Sequence, residues 1–436
     1  MIFSSPRVRS TPEMPCTRDL FLVACLPAII TLLCYVCSRI LKRPFPRTLS
    51  KDESPLEQIR SILQPPGAPI SQLLIERSTA NQRISLALGL TNTFVNPDPQ
   101  LHADFVQHSR GLLRGVQTNG WTRFQQTCAQ AVQSTLEDWP DSDQQCNIPF
   151  DRFVQIVVLR TILVGLLNVG KDVEELDYSS LAIVTALIND LWTLSKSGAL
   201  LPSDLQQQLR DHLRRLIPIS AGFENPIDFV VPTWETMWRV CATTIARIEA
   251  STDYQSFFHD FLQTDSLEAR QFAVVGSQGF SVRDFVQEVM RLHPPVKRIS
   301  RVHTLSPLNS WVSTAFGALD HIQLWLYGAG TKGIEDVRSS ADVEAALRTE
   351  TIWSGDAHAF NPRRHQSVSS QMKDIQQVVF GYGRLRCVAA TWAPDAAAVI
   401  SATIMEEVGE SGLELHRGAK IGGRNGWDGW SLVGRA

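Results

Sequence analysis

The chain has 436 residues, 44% hydrophobic and 19% charged, with a formal net charge of -3. That composition allows a sizeable core and excludes gross disorder, and the charge balance lacks the basic excess that nucleic-acid binding calls for. Of the eight cysteines, four (Cys16, Cys25, Cys34, Cys37) crowd the N-terminus. The other four (Cys128, Cys146, Cys241, Cys387) stand far apart, a pattern that excludes a disulfide framework or a zinc ribbon.

Residues 1–19 read as an N-terminal tail. Leu20 to Ser38 (LFLVACLPAIITLLCYVCS) then runs for nineteen residues without a charge. As a helix it spans roughly 28 Å, close to a bilayer's hydrocarbon thickness. Arg39, Lys42, Arg43 and Arg47 follow it, while Arg7, Arg9 and Arg18 before it are diluted by Glu13 and Asp19. This asymmetry favours a cytoplasmic C-terminal body. The run is long and no small-x-small site closes it, so the reading is a retained single-pass anchor rather than a cleaved signal peptide. Residues 39–55 form a basic, Pro-containing linker, and residues 56–436 form the body.

The body is predicted to be mostly α with a small β region. Val154 to Asn168, Ser180 to Leu194 and Leu205 to Leu216 have helical spacing. Asn225-Pro226 looks like an N-cap followed by a first-turn proline. Phe285 to Leu292 is a short amphipathic helix stopped by Pro294-Pro295. Arg298 to His303 and Ile322 to Tyr327 are strand-like. Ala389 to Val408 is Ala-rich and helix-like, with Pro394 predicted to kink or break it. The last twenty or so residues are Gly-rich and strand-like.

The most informative stretch is Phe380-Gly381-Tyr382-Gly383-Arg384-Leu385-Arg386-Cys387-Val388-Ala389. A cysteine on a glycine-turned loop that leads into a helix suits a thiolate ligand. Helix N–H groups and flanking arginines favour the anion, and glycines let the backbone approach a flat cofactor. The loop resembles the haem-binding signature of the cytochrome P-450 family, Phe-x-x-Gly-x-x-x-Cys-x-Gly, with Phe380, Gly383 and Cys387 at the matching offsets. Ala389 replaces the last glycine, and Leu385 stands where the family usually has a propionate-contacting arginine.

Further motifs occur in the family's order. Pro232-Thr233-Trp234-Glu235-Thr236 resembles the oxygen-activation motif through Glu235 and Thr236, while Pro232 and Thr233 depart from it. Glu288-Val289-Met290-Arg291 resembles the family's Glu-x-x-Arg helix. Arg301 is placed like a propionate-binding arginine. Phe360-Asn361-Pro362-Arg363-Arg364-His365 resembles Phe-x-Pro-Glu-Arg-Phe, departing at Arg363 and His365. Trp121 faintly echoes a Trp-x-x-x-Arg helix, with Gln125 at the arginine position. Taken singly, most of these patterns have plain readings. A Glu and an Arg at i and i+3 are usually a solvated pair, and a Glu-Thr on a helix is ordinary.

The resemblance implies a cytochrome P-450-like fold behind the transmembrane helix. It implies haem with Cys387 as axial thiolate, Arg301 with Arg384 or Arg386 at the propionates, and Phe380 and Gly383 in the cofactor loop. Glu235 and Thr236 would deliver protons, and Glu288, Arg291 and Arg364 would form a structural clamp. The implied activity is insertion of one oxygen atom from O2 into a small apolar molecule, as in fungal secondary metabolism. An NADPH-dependent flavoprotein reductase would supply electrons, and the endoplasmic reticulum is the implied location. A reading of a different class is a membrane protein that keeps the fold without catalysing, motivated by Leu385, Thr233 and the weak Trp121 region.

Two other patterns are set aside. Gly328-Ala329-Gly330-Thr331-Lys332-Gly333 formally fits a dinucleotide fingerprint, but no second buried strand follows it. His102 and His108, or His358 and His365, lack metal-site spacing and are expected at the surface.

Overall fold

The computed structural model describes residues 54–140, 147–197, 202–263, 267–303 and 337–435. The expected anchor at residues 20–38, Cys146, the strand-like Ile322 to Tyr327 and the glycine run after it lie outside the described residues. Among the described residues, no helix is long and apolar enough to cross a membrane.

Helix α1 (Pro55–Leu63) starts on a capping box in which Ser54 and Glu57 satisfy each other's free N–H groups. Then come α2 (Ile70–Leu88), α3 (Pro99–Asn119) and α4 (Trp121–Glu137). After the short strand β1 (Asn147–Pro149), α5 (Phe150–Thr161) passes into a π-helical turn at Ile162–Leu166. The single helix expected from Val154 to Asn168 therefore changes its hydrogen-bond register at Ile162. Helix α6 (Tyr178–Ser197) packs on α7 (Ser203–Leu216).

Helices α8 (Ile227–Trp234) and α9 (Met237–Ile248) are separated only by Glu235 and Thr236. Pro226, not Asn225, is the N-cap of α8, and the Asn225 amide instead donates to the Gly89 carbonyl at 3.0 Å. Pro232 sits inside α8 and has no N–H to donate, and the Asp228 carbonyl four residues back accepts from Asn92 Nδ2 at 2.7 Å. The helix breaks three residues further on, at Glu235 and Thr236.

Helix α10 (Thr252–Leu262) precedes α11 (Val282–Leu292), which a Ser281–Asp284 capping box opens. Strand β2 (Arg298–His303) falls where the sequence predicts it and pairs antiparallel with β3 (Val337–Asp342), Arg301 opposite Ser339. Helices α12 (Val343–Leu347), α13 (Glu350–Trp353) and α14 (Ser370–Gln377) lead to the cysteine loop.

Beyond that loop runs α15 (Ala393–Glu410), the central rod of the core, packed against α4, α9 and α11. Ala396, Ala397, Ala398, Val399 and Ile400 are wholly buried, and the small alanines let three helices approach. Pro394 lies in the first turn, where its missing N–H costs nothing, so it neither kinks nor breaks the helix. The Gly-rich end forms strands β4 (Leu413–His416) and β5 (Ser431–Gly434), in a sheet ordered β1-β5-β4.

Candidate functional site

The loop before Cys387 is closed by its own backbone. The Cys387 N–H donates to the Phe380 carbonyl at 2.8 Å. Gly381 and Gly383 have φ of 80° and 70°, a conformation that side chains other than glycine's strain to adopt. At Gly383 a Cβ would also come within 2.5 Å of Gln64 Oε1, the atom that accepts the Arg384 N–H at 2.9 Å. The predicted helix after the cysteine starts later than expected. Residues 388–392 are turns, and α15 begins at Ala393.

Cys387 is exposed, whereas Cys128 and Cys241 are buried. Protein nevertheless surrounds its sulfur closely enough that burial pushes the thiol above its ordinary value, against the Ala389 N–H and the Arg386 charge, which lower it. Arg386 does lower the thiol, as its place in the sequence predicts, but the net shift is upward and so opposite to the expected one. Arg384 and Arg386 are both exposed, and Arg386 hydrogen-bonds Gln377 Oε1, so desolvation outweighs them. Burial also raises Cys128, to about 12, and Cys241.

A recess of about 680 Å3 is lined by Val388, Thr391 and Trp392, which follow the cysteine in the chain, and by Val106, Arg110 and Leu113 of α3; Cys387 itself is not among its lining residues. That volume is in the range of cofactor pockets. Trp121 stacks on Trp392 with ring centroids 6.0 Å apart, and both indole Nε1 atoms are buried without a partner among the described residues. Each such orphaned donor costs about 1–3 kcal/mol, which an acceptor on a bound group would recover.

The arginines expected at the propionates do not converge. Arg301 is buried, with Nη1 donating to the Ser300 carbonyl at 3.0 Å and Nε without a partner among the described residues. Ile299, on the same face of β2, would lie 3.9 Å from a Cβ at Gly381, so Arg301 stands on the strand beside the loop. Arg384 and Arg386 instead face outward. A second buried arginine, Arg77, carries no motif and is not predicted from the sequence. Burial and the nearby Arg301 lower it to about 9, and it donates to the Thr93 carbonyl at 2.5 Å.

Glu288, Arg291 and Arg364 lie together. Arg291 donates to Glu288 through Nε and Nη2 at 2.8 and 2.9 Å, and to the carbonyls of Leu347, Ala357 and Ala359 at 3.1, 2.6 and 3.1 Å. Arg364 Nε reaches Glu288 at 3.1 Å, and its far end pairs with Asp356 at 3.0 Å. The expectation of a surface His365 is wrong. Its ring is buried, with Nε2 2.9 Å from Glu288 Oε2 and Nδ1 2.9 Å from Gln376 Nε2. Burial pushes the Glu288 carboxyl up, but hydrogen bonds from Arg291 and His365 outweigh it and hold the group at about 2.

Glu235 and Thr236 occupy the α8–α9 break, but the acid is not free. Arg239 Nη2 grips both Glu235 oxygens at 2.6 and 2.8 Å, and Arg424 Nη2 bonds one of them as well. Arg424 carries no signal in the sequence beyond being a cation in a Gly-rich tail. Neither Glu235 nor Thr236 lines the recess at Val388, Thr391 and Trp392. The carboxylate is committed to two guanidinium groups rather than offered to a ligand.

No family model matches the chain, and no curated protein matches it. Solved structures do. The heme domain of cytochrome P450DA matches with a TM-score of 0.50 over 81% of this chain and 79% of that one, at 10% identity. A triple mutant of the same domain matches with a TM-score of 0.50 over 81% and 80%, at 11% identity. Likeness at such low identity speaks to the path of the backbone, and on that ground the helical body described above has the fold of cytochrome P-450 heme domains.

Proposed function

We propose that this chain is a haem-thiolate monooxygenase that inserts one oxygen atom from O2 into a small, largely apolar molecule, as a tailoring step in secondary metabolism. The observation that carries the reading is Cys387, an exposed residue on a glycine-turned loop whose following residues, Val388 to Trp392, lead into a recess, within a fold shared with heme domains. These residues fit the group chemically. Cys387 Sγ would hold the iron, whose charge would offset the desolvation that raises the free thiol. Phe380 and Gly383 shape the loop. The Trp121 and Trp392 Nε1 atoms and Arg301 are buried donors that could take acceptors of a bound group.

When bound, the haem iron would supply the chemistry that activates dioxygen. The protein's own part is to position and to move protons. Thr236 Oγ1, at the helix break, would orient a proton. Glu235 would take part only if one arginine let go. Glu288, Arg291 and Arg364 hold the surrounding frame. Electrons would come from NADPH through a flavoprotein reductase. Residues 20–38 would anchor the chain in the endoplasmic reticulum membrane with the body facing the cytosol.

The test is the reduced, CO-bound absorption spectrum of the full chain. Wild type is expected to show the strongly red-shifted band of thiolate ligation, lost in Cys387→Ser and kept in Cys128→Ser and Cys241→Ser. A histidine-type spectrum in well-folded wild type would remove the reading. Thr236→Ala should keep the band but release more hydrogen peroxide per product formed. The engaged state of Glu235 favours one rival, a protein that keeps the fold and the haem without turnover. A normal spectrum with no product from any reductase-driven assay would support it.

A further inference from the structure

Trp192, on α6, is flanked by two guanidinium groups. Arg424 Cζ lies 4.6 Å and Arg83 Cζ 5.6 Å from its ring centroid. Arg83, from α2, donates to Ser195 Oγ at 2.5 Å. Arg424, from the loop between β4 and β5, pairs with Glu235 and donates to Asn189 Oδ1 at 2.9 Å. Arg239, from α9, takes both Glu235 oxygens and also bonds the Pro295 carbonyl at 2.6 Å. Lys196, four residues along α6 from Trp192, is within electrostatic reach of Arg424, Arg83 and Arg239, and Arg338 on β3 is within reach of Arg83.

Arg239 and Arg424 bond Glu235, Lys196 stands within electrostatic reach of it, and Arg83 and then Arg338 extend the run of cations beyond. The mutual repulsion is felt. Burial, with neighbouring cations adding to it, lowers Arg83 and Lys196, and brings Arg424 to about 10 despite Glu235. The Arg239 and Arg424 side chains are only 14% and 11% exposed, while Lys196 and Arg338 are exposed. The cluster is thus dry at its floor and open at its rim. Like charges held together in this way are a cost that a bound anion would relieve, and they draw anions to the opening.

The geometry points to an anion site centred on Arg83, Trp192 and Arg424 that takes the carboxylate of a small, otherwise apolar acid, the substrate of the proposed enzyme. The substrate assignment rests on the proposed function, whereas the binding site does not. A carboxylate suits the site because planar guanidinium forks meet its two oxygens, as Arg291 does at Glu288 through Nε and Nη2. The indole face between two cations gives the apolar part of the acid a platform. Glu235 is then an internal competitor for the same donors, seated next to Thr236 at the helix break.

Calorimetry on the full chain at low salt, with benzoate, the neutral isostere benzamide and inorganic phosphate as probes, tests this. Benzoate should bind, and benzamide should bind at least about tenfold more weakly, the loss of one charge-assisted contact. Arg83→Gln and Arg424→Gln should each weaken benzoate by about tenfold. Arg83 has a single hydrogen-bond partner of this kind and is only half-buried, so its variant remains informative if Arg424→Gln misfolds. Glu235→Gln should tighten benzoate binding, which a purely structural ion pair would not do. Equal binding of benzoate and benzamide, or no effect of Arg83→Gln, overturns the site. Phosphate binding tighter than benzoate overturns the carboxylate assignment. The CO spectrum of the same samples separates the two levels: benzoate binding without a thiolate band keeps the site and removes its role in a monooxygenase.

Discussion

Glu288 and Glu235 each lie buried and each hold two arginines, yet their surroundings are opposite. Around Glu288 two guanidinium groups meet two carboxylates, Glu288 and Asp356, and the spare Arg291 donors go to three backbone carbonyls. Trp353 lies against both arginines, 5.0 and 5.7 Å from ring centre to Cζ. Around Glu235 the same residue types are joined by Lys196, with Arg83 next to Arg424, and among the described residues the cations outnumber the acid. The comparison teaches that residue type does not separate a structural fastener from a binding surface. Charge balance and the fate of every remaining donor do.

The largest expected effect breaks the fastener. Arg291→Ala leaves Glu288 buried and unpaired and should cost about 3–5 kcal/mol, seen in urea denaturation or as loss of soluble protein. Ordinary stability in that variant would mean the pair is a surface contact.

Acid gives the next effect. Glu288 is held at about 2 in the folded chain against an ordinary value of 4.5, so its contribution is complete above pH 4.5 and fades as pH falls toward 2. The stability gap between wild type and Glu288→Gln should narrow over that window, by an amount on the order of 3 kcal/mol in total. A gap that stays constant from pH 6 to pH 3 would show the carboxyl to be unperturbed.

Glu235→Gln should cost less, about 1–2 kcal/mol, because its arginines keep a path to water. Raising NaCl to about 0.5 M should shrink that cost and leave the Arg291→Ala cost nearly unchanged. The smallest effect has the opposite sign. Lys196→Gln removes a repelling cation and should stabilise by up to about 0.5 kcal/mol, whereas neutralising either clamp arginine destabilises. Thermal denaturation that shows Lys196→Gln to be destabilising would end the contrast between the two clusters.

Much of the fastener and of the cysteine loop is legible in residue order. Glu288 and Arg291 share a helix face by spacing alone, and the strand from Arg298 to His303 and the glycines ahead of Cys387 lie where local rules put them. His365 shows the limit. It stands at a motif position that calls for an aromatic, and its spacing points to the surface, but its ring spans Glu288 and Gln376 in the interior. Glu288 is 77 residues away in the chain, so no local pattern announces the contact. The sign of the Cys387 shift is hidden for the same reason. Arg384 and Arg386 are neighbours in sequence, while whether their charges face the sulfur is set by how the loop turns.

The sequence by itself determined local devices: the amphipathic helix that stops before Pro294-Pro295, the strand from Arg298 to His303 and the glycine turns of the cysteine loop, though neither the cap of α8 nor the first-turn place of Pro394. These depend on φ preferences and on hydrogen bonds between residues a few positions apart. Only the tertiary structure decided which charges share a low-dielectric space. Arg424 comes within bonding distance of Glu235 across 189 residues of chain, and Arg83 meets Trp192 from another helix. Electrostatic energy depends on distance and burial in three dimensions, and nothing in residue order alone encodes either.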